Sequence, residues 1–137
     1  MRKLGMLVFV ISALGALPAA AGGRAPIEES YQATALPYPN GSYDNGEGCF
    51  YGVDGVHKHF HEFEAPRKGK FEVGIPQLTG DWDLFVTDPE GNVLAESSGD
   101  RGVPEHTELK LKKAQQISIV TCNWAGEPQV TVEYSFR

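Results

Sequence analysis

Three histidines at alternate positions, His57, His59 and His61, are the residues of this sequence whose types and spacing most directly suggest chemistry. On a β-strand, side chains two residues apart lie on one face about 6 to 7 Å from each other, which allows neighbouring imidazoles to share a zinc or copper ion. Further ligands would have to come from side chains such as Glu62 or His106, whose positions the spacing does not fix. The same pattern also fits polar residues on a solvated strand face, so both interpretations stay open.

A second candidate metal site consists of acidic side chains. Asp81 and Asp83 lie on either side of a tryptophan, and Asp88, Glu90 and Asn92 follow them. Calcium prefers carboxylate and amide oxygens of this kind. The segment lacks the ligand spacing of an EF-hand loop, and the alternative is a strand followed by a tight turn in which Asp88 binds its own backbone. The sequence suggests no cofactor beyond a metal ion at one of these two sites, zinc or copper at the histidines or calcium at the carboxylates.

Three aromatic residues form the predicted ligand surface. Phe50, Tyr51 and Trp124 are expected in or beside loops, where amphipathic rings commonly contact sugars or proteins. For Trp124 the alternative is a ring that caps the core over a disulfide, as in immunoglobulin domains.

The sequence holds no pattern typical of an enzyme. It has no G-x-S-x-G turn, no H-E-x-x-H helix and no phosphate-binding glycine loop. With 18 acidic and 12 basic side chains the formal net charge is −6, and Lys and Arg do not cluster as they do in proteins that bind nucleic acid. We therefore expect a non-catalytic protein that does not bind nucleic acid.

Residues 1–21 have the features of a signal peptide. Two basic residues precede an apolar run from Leu4 to Leu17, and small residues follow up to Ala21. The apolar run is shorter than the roughly 20 residues that span a bilayer. We expect cleavage after Ala21 and a secreted or otherwise extracytoplasmic monomer that is not held in the membrane.

Export affects how the two cysteines of the sequence, Cys49 and Cys122, are interpreted. An oxidising compartment permits them to pair, and on the loop-entropy model such a disulfide would stabilise the fold by about 4 kcal/mol. The alternative is a reactive thiol or a metal ligand, although neither cysteine lies in a C-x-x-C pair.

From residue 48 onward, apolar and polar residues alternate in short segments separated by turn residues. This period-two alternation is typical of strands with one buried face. It predicts one domain over residues 48–137, an all-β antiparallel β-sandwich of about seven strands. Residues 22–47 show no sustained periodicity and are predicted to be a leader or linker. The clearest strand segments are residues 70–75, 82–87, 92–98, 107–112, 117–122 and 130–136.

Four consecutive segments resemble the bacterial pre-peptidase C-terminal domain family: Phe63–Pro66, Gly69–Val73, Gly80–Val86 and Asp88–Ala95. In that family a Phe-bearing strand ends in a Pro-containing turn and is followed by a D-x-D-L-x-V strand and a D-P-x-G-N-x-L-A hairpin. The resemblance covers about residues 56–137. It implies a jelly-roll-like sandwich that accompanies secreted enzymes without being catalytic. This sequence departs from the family in its His-rich strand, in its cysteines and in lacking an acidic linker that could supply calcium ligands.

These observations predict a secreted, non-catalytic β-sandwich module that serves binding or stability outside the cytoplasm, with a protein or a glycan as its partner. The alternative is an extracytoplasmic metal-binding protein.

Overall fold

A computed structural model describes residues 24–38 and 55–137 of the chain. These residues form eight β-strands. The described ranges contain no helix that is long and apolar enough to cross a membrane. The strands are β1 (Ile27–Thr34), β2 (Lys58–Glu64), β3 (Gly69–Ile75), β4 (Asp81–Thr87), β5 (Val93–Ser97), β6 (Glu105–Leu111), β7 (Gln116–Ala125) and β8 (Gln129–Phe136).

The strands form two four-stranded sheets, sheet 1 in the order β1-β8-β3-β6 and sheet 2 in the order β2-β7-β4-β5. All pairs of neighbouring strands are antiparallel. Apart from β4 and β5, which are joined as a hairpin, consecutive strands lie in opposite sheets. This is the connectivity of an eight-stranded jelly roll. The predicted antiparallel, jelly-roll-like sandwich is confirmed, with eight strands instead of about seven.

Each sheet has an inner face, packed against the other sheet, and an outer face. The alternation seen in the sequence decides which residues face inward, because successive side chains of a strand point to opposite sides. Trp82, Phe71 and Phe136 are the largest fully buried side chains of the inner faces, and burial of such a side chain contributes about 1.5 to 3 kcal/mol.

The predicted leader, residues 22–47, contains β1, so the prediction is wrong for this part of it. β1 pairs with β8 along its whole length and forms one edge of sheet 1. Its inward positions alternate as in the other strands, but one of them holds Glu29, which interrupts the apolar series. Glu29 is accommodated there because it is exposed at the edge of the sheet, where the Tyr134 hydroxyl donates a hydrogen bond to its Oε2 at 2.6 Å. The rest of this range after Tyr38 lies outside the described residues.

The turn between β4 and β5 is confirmed. Its Asp88 carboxylate accepts hydrogen bonds from the backbone N–H and the side-chain amide of Asn92, each at 2.8 Å. Gly91 has φ +86° and donates its N–H to the Asp88 carbonyl at 3.0 Å. The hydrogen bonds from Asn92 hold the pKa of Asp88 below its usual value. Both carboxylate oxygens of Asp88 therefore accept hydrogen bonds within the turn.

Candidate functional site

Two of the three histidines lie where the sandwich is open along one side. There β2, an edge strand of sheet 2, faces β1, an edge strand of sheet 1. His59 and His61 lie on the inner face of β2, as their spacing predicts. The Tyr31 ring of β1 stacks on His61 with ring centroids 4.1 Å apart and lies 5.7 Å from the ring of His59. We call Glu29, Tyr31, His59, His61 and Tyr134 the edge cluster.

The edge cluster favours uncharged rings. Burial lowers the pKa of His61, and the neighbouring His59 lowers it further, whereas Glu29 acts in the opposite direction. Burial also raises the pKa of Tyr31, whose hydroxyl has no hydrogen-bond partner among the described residues. At neutral pH a neutral imidazole therefore stacks on a neutral phenol.

His57 does not join the other two histidines, so the expectation that all three share one face is wrong. It precedes β2 and has φ +73°, a backbone conformation that turns its side chain out of the alternation of the strand. Its Nδ1 lies 3.0 Å from the Leu36 carbonyl oxygen, and its ring stacks on Tyr38 with centroids 3.9 Å apart.

Neither predicted metal site is assembled in this part of the chain. Among the described residues, no group of three or more His, Cys, Asp or Glu side chains is placed to hold a metal ion. The zinc and calcium hypotheses therefore stay predictions without geometric support.

Asp81 and Asp83 lie on the outer face of sheet 2, at the start of β4. Asp83 is 9% exposed, and the Trp124 indole donates its N–H to Oδ2 at 2.5 Å. Burial raises the pKa of Asp83 to about 6, although the indole hydrogen bond opposes that shift. Burial also raises the pKa of Asp81. Asp83 therefore anchors an indole ring and does not point freely toward an ion.

Trp124 is not an exposed aromatic, which corrects the prediction of a ligand surface at this residue. Its side chain is 7% exposed, and the Tyr38 ring stacks on it with centroids 4.8 Å apart. Together with Phe85, Val120 and Cys122 it forms a second apolar cluster on the outer face of sheet 2. The other two predicted ligand residues, Phe50 and Tyr51, lie outside the described residues.

Cys122 is fully buried within this outer cluster. Its predicted partner, Cys49, lies outside the described residues, between Tyr38 and Gly55. Tyr38 packs against this face. Gly55 donates its backbone N–H to the Lys58 carbonyl at the start of β2. Tyr38 and Gly55 flank the segment that contains Cys49. Both are thus attached on the side of the molecule where Cys122 lies.

One concave feature of the described residues that the sequence did not predict is a groove on the outer face of sheet 1. It has a volume of about 570 Å³ and crosses all four strands of the sheet. Gly74 of β3 forms its floor between Glu133 of β8 and His106 of β6, which are its register partners. A side chain at this position would clash, because a Cβ on Gly74 would lie 2.8 Å from the Glu105 carbonyl oxygen. Pro76 and Pro104 line one end.

Carboxylates dominate the charge of the groove. Glu28 and Glu133 are exposed. No ion pair involves either of them in the described part of the chain. Glu72 also lines the groove, but it forms ion pairs with Lys70 at 2.7 Å and with Arg137. These two cations lower the pKa of Glu72 to about 2.

No single segment of the sequence predicts the groove. Its acidic residues come from four strands, β1, β3, β6 and β8, and their assembly depends on the order of sheet 1. The only local signal is Gly74 inside a strand with otherwise clear alternation, since an isolated strand glycine often marks a close approach or a depression.

The comparisons with known proteins give a likeness of structure only. The chain is similar to the crystal structure of the pre-peptidase C-terminal domain of a collagenase from Bacillus anthracis, with a TM-score of 0.46, 11% sequence identity, and coverage of 82% of this chain and 88% of that chain. No protein-family model and no curated protein matches the sequence.

Proposed function

We propose that this chain is an exported, non-catalytic β-sandwich module that binds a ligand in the groove on the outer face of sheet 1. The observation that carries the proposal is the groove itself. Its volume of about 570 Å³ is within the range of about 300 to 1,000 Å³ that is typical of ligand sites.

The contrast between the sheets supports this choice of face. The aromatic residue that sequence analysis assigned to a ligand surface, Trp124, is buried under Tyr38. The groove, in contrast, is lined by side chains that reach solvent, among them Glu28, Glu133 and His106.

Export is the second part of the proposal, supported by the basic, apolar and small-residue pattern of residues 1–21. A disulfide between Cys49 and Cys122 belongs to the same hypothesis, because such bonds persist in oxidising compartments. Membership of the pre-peptidase C-terminal domain family is proposed on the resemblance of residues 80–95, which form β4, the Asp88 turn and β5.

Export is tested by expressing the full chain and sequencing the N-terminus of the protein recovered outside the cytoplasm. The expected N-terminal residue is Gly22. Recovery of an uncleaved chain from the cytoplasm alone would contradict this part of the proposal.

Ligand binding is tested by NMR on the exported, ¹⁵N-labelled protein. Neutral oligosaccharides and capped peptides of positive, negative and zero charge are added in turn. The expected result is that at least one class shifts amide signals around Gly74 and Ser135 of the groove. Shifts confined to β5 or the outer face of β4, or no shifts with any class, would overturn the assignment of the groove.

A further inference from the structure

We infer that the groove of sheet 1 receives an extended segment of a partner protein through its lysine or arginine side chains. This inference rests on the proposed function and adds the chemical class of the ligand.

Charges on the outer face of sheet 1 are paired at one end of the sheet and not across the groove. At one end of the sheet, Lys70 lies 2.7 Å from Glu72 and 2.6 Å from Glu108, and Arg137 also pairs with Glu72. Lys70 and Arg137 are thus already paired with carboxylates of the sheet itself, whereas Lys110, the register partner of Lys70, forms no ion pair within the described ranges. Across the groove, Glu28 and Glu133 have no cation within the described ranges. A ligand that brings positive charge would complete the pairing.

Two residues at the opposite end of the groove lack a backbone N–H. Pro76 and Pro104 line this end, and proline has no backbone N–H to offer an anion. Gly74 contributes no side chain at the floor. The chain as a whole carries a formal net charge of −6, so its long-range field also attracts cations and repels anions.

The shape of the groove favours an extended ligand. It is an open trough that crosses four strands, and three inter-strand spacings correspond to about 14 Å. An extended polypeptide advances about 3.3 Å per residue, so four or five residues would cross the sheet. Lysine and arginine side chains can lay their methylene stems against Pro76 and Pro104 while their charged ends reach the carboxylates. We therefore favour a polypeptide segment over a compact small molecule.

The test is a titration of the exported, ¹⁵N-labelled protein with a capped peptide of about six residues that alternates lysine and serine. The comparison peptides replace lysine with glutamate or with glutamine. The expected result is saturable shifts around Gly74 with the lysine peptide, much weaker effects with the other two, and affinity that falls as salt is added.

The variants Glu133→Gln and Glu28→Gln remove the proposed contacts without removing volume. Each is expected to weaken binding of the lysine peptide by about two- to fivefold, and the double variant by about tenfold. The matched control is Glu96→Gln on β5, which removes the same charge from an exposed position of sheet 2 and should leave the affinity unchanged.

Each other outcome has a definite meaning. Equal weakening by Glu96→Gln would overturn the inference, because the peptide would then respond only to net charge. Equal binding of the glutamine peptide in the groove would overturn the cationic class while leaving the proposed function intact. If no peptide and no oligosaccharide shifts the groove signals, both the inference and the proposed function fail.

Discussion

The outer faces of the two sheets have opposite characters. That of sheet 1 carries charged and small polar side chains around a groove. That of sheet 2 carries Phe85, Val120, Cys122 and Trp124, all of them buried. An antiparallel sheet commonly has one face on the core and the other in water. Sheet 1 follows that rule. Sheet 2 does not, because apolar side chains are buried on both of its faces.

If the groove binds a ligand as proposed, stability and binding depend on different sheets of this molecule. Apolar burial on both sides of sheet 2 makes β4 and β7 the most enclosed strands, whereas the outward residues of sheet 1 contribute little to the core. Substitutions on sheet 2 should therefore change the free energy of unfolding, and substitutions in the groove should change binding.

The largest expected effect concerns Cys122. If it is bonded to Cys49, the variants Cys122→Ser, Cys49→Ser and the double variant should lose the same stability, about 4 kcal/mol, as measured by urea unfolding. Reduction of the wild type should produce a similar loss. Two reactive thiols in the denatured, unreduced protein would show that the bond is absent.

The next effect compares the two outer faces directly. Phe85→Ala on sheet 2 removes a buried ring and should lower the free energy of unfolding by about 3 kcal/mol. Lys110→Ala, at an exposed outward position of β6, should change it by less than about 0.5 kcal/mol. Equal losses for the two variants, measured by urea unfolding, would remove the distinction between the faces.

A smaller, pH-dependent effect is expected for Asp83. Its pKa of about 6 in the folded protein exceeds the ordinary value of 3.8, so the folded state holds this proton more tightly. The resulting stability is complete below pH 3.8 and is lost as the pH rises through about 6. Relative to Asp83→Asn, the wild type should lose up to about 3 kcal/mol across this interval. A difference between the two proteins that does not vary with pH would contradict this assignment.

The smallest effect should have the opposite sign and should arise in the edge cluster. The pKa of His61 is lowered from 6.5 in the folded protein, so its contribution to stability is complete above 6.5 and is lost as the pH falls below that value. His61→Gln should remove this loss, and His106→Gln, an exposed control, should retain it. Thermal unfolding followed from pH 7.5 to pH 5 would show the difference.

Much of the fold could be predicted from the sequence, because β3, β4, β6, β7 and β8 each show local alternation. β1 was not predicted, because Glu29 occupies an inward position and interrupts the alternation. There its carboxylate accepts a hydrogen bond from a tyrosine hydroxyl of another strand. The site was harder to predict. His59 and His61 were correctly placed on one face, but the positive φ of His57 is a backbone property that residue spacing does not reveal. The groove depends on strand order, which only long-range pairing establishes.

The pairing of β1 with β8 also bears on when the chain can fold. Thr34 pairs with Gln129 and Ile27 with Phe136, so this ladder cannot begin to form before residue 129 has been synthesised or be completed before residue 136. Ordering of such distant segments is slow, since the entropy of closing a long loop precedes any gain from the contacts. A chain still emerging from the ribosome therefore lacks the pairing partner of β1 until the residues of β8 have been synthesised.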